Sequence, residues 1–449
     1  MLNQDPNVPL RELAWSAGEM HDFLSRHALP ALNGWGNIAD VEIEDMAYIP
    51  GRECIVRCSL MPAGAPEDPG RGPDRWIVVT FASKSRMAEI TAYYDGLRRS
   101  QEHRDGEILL LPEQQCLIET FPMDWRLPSL AQAVDPDLMA PLVAPFFSDD
   151  SALPGELDVK PLRYRAHRRC ALRYTLGGEA AGVVGKVYER DRRAQRVWDT
   201  MTQAYPQAQG CGIVIPRPLS LVDGWDMVIM GWVPGKSMNG MLNAASTEAQ
   251  AKRAVKLAAG ALAAFHSLCV ESRDVRGFGT EIQQVCHWRD RIDLIAPELT
   301  GFTDNLLLRI ESLTRACSRA RVTFIHGDFK PSQLLVEGGK VAVVDFDRAC
   351  LGDPALDVGN FMAHLHKKAI YRGHDYFRRL AACLLEEYEQ ASPASTDALA
   401  HRARLYQSIA LLRMGVRTLR QHPHVYEEKG QESPTGLFLQ EAARCLEEL

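Results

Sequence analysis

Short apolar runs bounded by glycine, proline and charge alternate with long stretches of helical spacing, and the two patterns sort by position along the chain. Residues 76–81 (Trp-Ile-Val-Val-Thr-Phe) and 182–188 (Gly-Val-Val-Gly-Lys-Val-Tyr) are mostly β-branched or aromatic, which predicts strands. The run 225–235, Trp-Asp-Met-Val-Ile-Met-Gly-Trp-Val-Pro-Gly, predicts another strand closed by a Pro-Gly turn. Gln333-Leu-Leu-Val336 and Val341-Ala-Val-Val-Asp345 are joined by Glu337-Gly-Gly-Lys340. Two central glycines between strand-like runs predict a hairpin, because both accept positive φ. Pairing outward from Glu337 and Lys340 sets Gln333 opposite Val344 and leaves Asp345 just beyond. Residues 191–203 have helical character. The stretch 246–266 follows a Ser-Thr N-cap signal and is rich in alanine, so it predicts a helix. Residues 290–318 read as one amphipathic helical region. Segments 358–370, 374–391, 394–421 and 434–448 also have helical spacing, with Ser392-Pro393 separating two of them.

The strand pattern recurs. Tyr48-Ile-Pro-Gly-Arg52-Glu-Cys54-Ile-Val-Arg57-Cys-Ser-Leu60 aligns with Tyr164-Arg-Ala-His-Arg168-Arg-Cys170-Ala-Leu-Arg173-Tyr-Thr-Leu176, with Tyr, Arg, Cys, Arg and Leu matching at a constant offset of 116. The run 76–81 then mirrors the strand carrying Lys186, with Thr80 at the lysine's place. Cys116-Leu-Ile-Glu-Thr-Phe-Pro122 echoes the strand before Pro234. Residues 1 to about 145 therefore read as a copy of the later strand pattern, against the alternative of coincidence among short amphipathic strands. The Pro/Gly-rich stretch 61–73 reads as an exposed loop, and 148–155 as a linker.

Composition narrows the class. The chain has 449 residues, 46% hydrophobic and 24% charged, which fits two or three globular domains with a sizeable core. A net charge of −7 argues against a nucleic-acid footprint and suits a neutral or cationic small molecule as well as it suits solubility. Eleven cysteines show no paired metal spacing; Cys54 and Cys58 stand apart from any histidine, so reduced, mostly buried thiols are expected. No run approaches the roughly 20 apolar residues of a membrane span, and the first residues carry no signal-peptide pattern. The expected compartment is the cytoplasm, without nucleic-acid or membrane partners.

The chemistry concentrates in His326-Gly-Asp-Phe-Lys-Pro-Ser-Gln333 and Val-Val-Asp345-Phe-Asp347. Phosphoryl transfer needs an oriented hydroxyl, a divalent ion and positive charge near the group in flight. Asp328 can orient a hydroxyl, Gln333 and Asp345 can each offer magnesium an oxygen, and Lys330 can meet the transferred phosphate. Lys186 sits inside an apolar strand, where a bare ammonium is costly. Two readings stay open for it: a strand-edge lysine reaching water, or a contact to nucleotide phosphates. The strand 225–235 is likewise either a core strand or a hinge whose Met230, Gly231 and Trp232 backbone groups bind an adenine edge.

These motifs resemble the aminoglycoside phosphotransferase and choline kinase-like family of small-molecule kinases, which share the protein-kinase fold. The family pattern is His-Gly-Asp, an Asn five residues on, a hydrophobic-Asp-Phe/Trp segment, and then Gly-Asp-Pro-x-x-Asp, here Gly352-Asp353-Pro354-Ala-Leu-Asp357. Two positions depart from it. Gln333 stands for Asn, as in the similar maltokinases, and Lys330 stands where the family more often has His. The resemblance implies an α+β, bilobal, protein-kinase-like fold, with an antiparallel small lobe and a mainly helical large lobe. Its expected limits are an N-terminal small-lobe copy over 1–147, the small lobe over 148–235, and the large lobe over 236–449. It implies Asp328 as catalytic base with Lys330 beside it, Gln333 and Asp345 as metal ligands, and Lys186 and Arg168 on the nucleotide phosphates. Asp357 would orient the loop, His326 and His266 would be structural, and Asp347, Arg348 and the stretch 364–366 could line the acceptor site. The expected activity is ATP- or GTP-dependent, magnesium-requiring phosphorylation of a small-molecule hydroxyl on a sugar, aminosugar, aminoglycoside or amino alcohol. A homodimer through the N-terminal domain is conceivable. The competing class is a catalytically weak kinase-fold nucleotide-binding or regulatory protein. A protein kinase fits poorly, because Gly352-Asp-Pro follows Asp345 too closely for a peptide-docking loop.

Overall fold

The computed structural model describes residues 5–28, 38–62, 75–99, 107–147, 157–177, 182–243, 247–317, 321–392 and 398–449. Residues 63–73 of the expected loop and the linker 148–155 lie outside them. The fold is α+β, with antiparallel sheets first and helices later, as the hydrophobic patterning requires. Helix α1 (Ala17–His27) precedes β1 (Ile38–Ile49), β2 (Glu53–Pro62), β3 (Trp76–Ala82), α2 (Lys84–Arg99), β4 (Ile108–Leu111) and β5 (Cys116–Thr120). Their sheet has the order β1-β2-β3-β5-β4. The short helices α3 (Leu130–Ala133) and α4 (Pro136–Val143) lead to β6 (Leu157–Arg165), β7 (Arg169–Leu176) and β8 (Val183–Tyr188). Helix α5 (Arg193–Ala208) and β9 (Ile213–Val214) follow, then β10 (Pro218–Val222) and β11 (Met227–Gly231).

The second sheet has the order β6-β7-β8-β11-β10, the same path as the first. The registers correspond as well. Tyr48 faces Cys54 as Tyr164 faces Cys170, and Ile55 faces Thr80 as Ala171 faces Lys186. The sheets share one core, in which Ile55 and Val78 pack with Leu172, Tyr174, Val187, Met227 and Ile229. Burying both apolar faces together removes far more surface from water than either sheet could alone.

The chain divides into two compact units. One holds Met1–Ala194, Leu219–Ile229 and Arg420–His424; the other holds Gln195–Pro218, Met230–Leu419 and Val425–Leu449. The second unit contains β12 (Lys236–Ser237), α6 (Met238–Met241), α7 (Glu248–His266), β13 (Val275–Arg276), α8 (Phe278–Ile295) and α9 (Thr300–Arg315). Next come β14 (Thr323–Ile325), β15 (Leu334–Glu337), β16 (Lys340–Val343) and β17 (Cys350–Gly352). Helices α10 (Ala355–Arg372), α11 (Tyr376–Ala391), α12 (Leu399–Gln421), α13 (Pro423–Lys429) and α14 (Pro434–Glu447) complete the chain. A capping box opens α7: the Thr247 hydroxyl accepts from the Gln250 N–H, and the Gln250 side chain accepts from the Thr247 N–H.

The β15–β16 hairpin has the register expected from its turn, Glu337 facing Lys340 and Leu334 facing Val343. Val344 N–H donates to the Gln333 carbonyl at 3.0 Å, and Gly338 and Gly339 take φ of 55° and 83°. The single helical region expected over 290–318 is corrected to two helices. Pro297 has no N–H to continue α8, and Ala296 leaves helical geometry at ψ 72°, so the chain turns before α9. Among the described residues, no helix is long and apolar enough to cross a membrane. All eleven cysteines are free, and Cys54, Cys58, Cys116, Cys170, Cys350 and Cys445 are buried.

Candidate active site

Two short sheets in the second unit set the ends of the 326–333 loop. Strand β14 delivers His326 and pairs antiparallel with β17, while β15 and β16 carry Gln333 and Asp345 at the open end of their hairpin. The Gln333 Nε2 donates to Asp345 Oδ2 at 2.8 Å, so these two side chains lie side by side. Asp345 itself takes the left-handed conformation at φ 72°. Lys330 Nζ donates to Asp328 Oδ2 on the same loop. The His326 ring ties the two halves together. Its Nδ1 accepts the Asp328 N–H at 3.3 Å, and its Nε2 lies 3.0 Å from the Val344 carbonyl, adjacent to Asp345. A carbonyl can only accept, so the proton sits on Nε2.

Asp357 clamps the loop from below. Its carboxylate accepts the N–H groups of His326 at 2.6 Å and Gly327 at 2.8 Å, and His266 Nε2 donates to it at 3.2 Å. His266 Nδ1 in turn meets the Tyr388 hydroxyl at 2.7 Å. Burial alone would raise the Asp357 carboxyl, but His266, His326 and the backbone donors outweigh it and hold it below the usual carboxylate range. Gly327 has φ 72°, and a Cβ there would strike the Arg276 guanidinium and the Arg348 carbonyl. Only glycine fits.

Asp328 shows the same balance. Burial pushes its carboxyl up, yet Lys330, with Arg348 and His364, holds it well below its ordinary value. The group therefore stays ionised throughout the neutral range. A second set of groups reinforces the loop. Arg276 donates to the Gly327 carbonyl at 2.9 Å and pairs with buried Glu281. Arg413 bridges Glu281 Oε2 at 2.8 Å and Asn360 Oδ1 at 3.0 Å, and Asn360 Nδ2 donates to the Phe329 carbonyl at 2.8 Å. Arg348 donates to Gln284 Oε1 at 2.9 Å. Asp347 is half-buried beside it.

The residues expected at a nucleotide divide between the units. In the first, Lys186 is buried in β8 opposite Ala171, its Nζ 5.4 Å from the Tyr188 ring centroid. Arg168 is exposed at the β6–β7 turn. The neighbouring His167 of that turn is buried at φ 61°; its N–H donates to Asp124 Oδ2 at 2.8 Å and its Nε2 meets Glu119 Oε2 at 2.7 Å. In the second unit lie half-buried Met230, Gly231 and Trp232. The Gly231 N–H already donates to the Arg217 carbonyl at 2.8 Å, which narrows the expectation for Gly231 to its carbonyl.

Comparison with known proteins decides the family. The family model described as APH, phosphotransferase enzyme family, matches residues 165–405. The chain belongs to the APH phosphotransferase family. Among solved structures, this APH-family chain is similar to a thermostable mutant of aminoglycoside phosphotransferase APH(4)-Ia in ternary complex with ADP and hygromycin B. That match has 16% identity and a TM-score of 0.45, over 65% of this chain and 95% of that one. It is also similar to an ethanolamine kinase from Plasmodium vivax, with 13% identity and a TM-score of 0.49 over 70% and 88% of the two chains. A choline/ethanolamine kinase family protein from Mesorhizobium loti matches with 15% identity and a TM-score of 0.43 over 65% and 88%. No curated protein matches.

Within this APH-family chain, the matched span begins at Arg165, at the β6–β7 turn, and includes the whole 326–357 constellation. The first sheet lies outside it. The residues that sequence reasoning missed are Arg276, Glu281, Asn360 and Arg413. They meet the loop from positions as far as 132 residues apart, as in Arg413 to Glu281. No spacing along the chain signals such a contact.

Proposed function

We propose that this APH-family phosphotransferase is an ATP-dependent kinase that phosphorylates a hydroxyl of a small molecule. The observation that carries the reading is the contact of Gln333 and Asp345 at 2.8 Å, with the His326 ring tying the Asp328 backbone N–H to the Val344 carbonyl next to Asp345. Asp328 aims the acceptor hydroxyl. Its oxygen forms a bond to the γ-phosphorus as the β–γ bridging bond breaks, and the proton passes toward Asp328 while ADP leaves. A loose transition state demands little basicity until late, which suits a carboxylate held so far below its usual range. Lys330, already paired with Asp328, brings positive charge to the transferred group.

Gln333 and Asp345 fit magnesium by donor chemistry. Both offer hard oxygens, and turning the Gln333 amide presents its Oε1 in place of Nε2. Bound there, magnesium would neutralise nucleotide phosphate charge. On the nucleotide side, we assign Lys186 to the phosphates, with Arg168 at the turn above, and the Met230–Trp232 backbone to the base. The second sheet is then the kinase small lobe, and the first is a copy of it that carries Thr80 at the register place of Lys186 and has lost phosphate contact.

The test is ADP release coupled to transfer onto a panel of hydroxyl compounds, with and without magnesium. Asp328→Asn is expected to bind ATP normally and to lose turnover by at least ~10². Lys186→Ala should mainly raise KM for ATP. Near-normal turnover in Asp328→Asn refutes the reading.

A further inference from the structure

We propose that the acceptor is an anion, a hydroxyl compound bearing a phosphate or carboxylate that Lys367 on α10 and Arg417 on α12 grip. This rests on the kinase reading above. Helices α10 and α12 run side by side in the same direction: Gly359 lies against Ala403 and Gln407, Asn360 accepts from Arg413, and Tyr371 lies near Thr418. Asn360 also donates to the Phe329 carbonyl, so this seam begins next to Asp328. His364 and Lys367 lie one and two turns beyond Asn360, and Arg417 lies one turn beyond Arg413.

Positive charge accumulates along the seam. Arg413 is engaged by Glu281. Among the described residues, however, Lys367, Lys368 and Arg417 take part in no ion pair; Lys367 Nζ lies 5.6 Å from the Tyr371 ring centroid. Lys367 and Lys368 are half-buried. Burial, then Arg417 and Lys330, lowers Lys367, and burial followed by Arg372 and Lys367 brings Lys368 down to about 8. Burial and then repulsion from Lys330 hold His364 neutral, at about 3, between the lysines. A chain of net charge −7 thus concentrates the opposite sign beside its candidate catalytic loop. A solvated charged face would explain exposed Arg417, but not two half-buried lysines without counter-charge. An anionic ligand supplies the missing charge, whereas a polycationic aminoglycoside would add to the repulsion.

The experiment titrates sulfate, and separately malonate, into the full chain saturated with ADP and magnesium, by calorimetry. Binding of either dianion is expected, with sulfate reporting a phosphate-bearing and malonate a carboxylate-bearing acceptor. Lys367→Ala combined with Arg417→Ala should weaken it at least ~10-fold, and glycerol and glucosamine should not compete. Exposed Arg417→Ala alone carries the test if the double variant does not fold. Absence of dianion binding overturns the proposal. So does binding indifferent to both substitutions, since a dianion lodged at the γ-phosphate position would ignore them. Slow ATP hydrolysis that depends on Asp328 reads the kinase assignment separately, so either idea can fail while the other stands.

Discussion

Asp357 shows how much of this site rests on single buried charges. One carboxylate, 0% exposed, accepts two backbone N–H groups and a histidine and so fixes the left-handed turn that presents Asp328. Replacing it with Asn keeps the shape but removes the charge and one acceptor, so Asp357→Asn should destabilise the protein by on the order of 2–4 kcal/mol. Calorimetric unfolding would measure this as a lowered Tm. The pH dependence has a definite sign. The folded carboxyl lies below its unfolded value near 4, so its stabilisation is complete above about pH 4 and is lost as the pH falls toward the folded value. Asp328 and Glu441 are shifted the same way, the latter because His366, Arg378 and Arg444 outweigh its burial. The wild-type Tm should therefore drop more steeply below pH 4 than that of Asp357→Asn. Parallel curves would show that the carboxylate contributes no such linkage. Asp328 and Asp357 were legible in the sequence as members of a spaced set of acids; Glu441 was not. Arg276, Glu281 and Arg413, which brace the same loop, were not, because their contacts join distant stretches of chain.

At the scale of elements, turn chemistry spoke clearly and helix limits less so. The Glu337-Gly-Gly-Lys340 turn set the hairpin register, and with it the meeting of Gln333 and Asp345, because both glycines occupy positive φ. Gly339→Val places a β-branched residue at φ 83° and should cost about 1–3 kcal/mol. If Gln333 and Asp345 hold the metal, the same variant also needs more magnesium for half-maximal activity. A magnesium titration that overlays the wild type would separate the turn from the site. Residues 290–318, by contrast, kept an amphipathic pattern straight through a break. Periodicity alone could not show that Pro297 turns the chain, since α9 resumes with apolar residues at the same spacing.

At the scale of the molecule, the two five-stranded sheets cannot be treated as separable pieces. Their apolar faces form a common core, the Tyr174 hydroxyl donates to the Ala133 carbonyl at 2.7 Å, and buried His167 takes both its partners from Glu119 and Asp124. A chain cut to residues 148–449 would expose that core face and leave a buried histidine unsatisfied. It is expected to be insoluble or to lack a cooperative unfolding transition, as circular dichroism during heating would show. A soluble fragment with a wild-type-like transition would mean that the second sheet stands alone.

Local rules belong to the sequence: strand and helix periods, the glycine turn, the repeated Tyr-Arg-Cys-Arg pattern, and the ordered acids from Asp328 to Asp357. Each depends on residues close together along the chain, where spacing maps directly onto geometry. Tertiary structure decided what those residues meet. It bonded the His326 ring between Asp328 and Val344, put Asp357 under the loop, and ran α10 beside α12 so that charges about fifty residues apart share one face. Such contacts follow from the burial of apolar faces against one another, and no spacing in a single chain encodes which faces will pair.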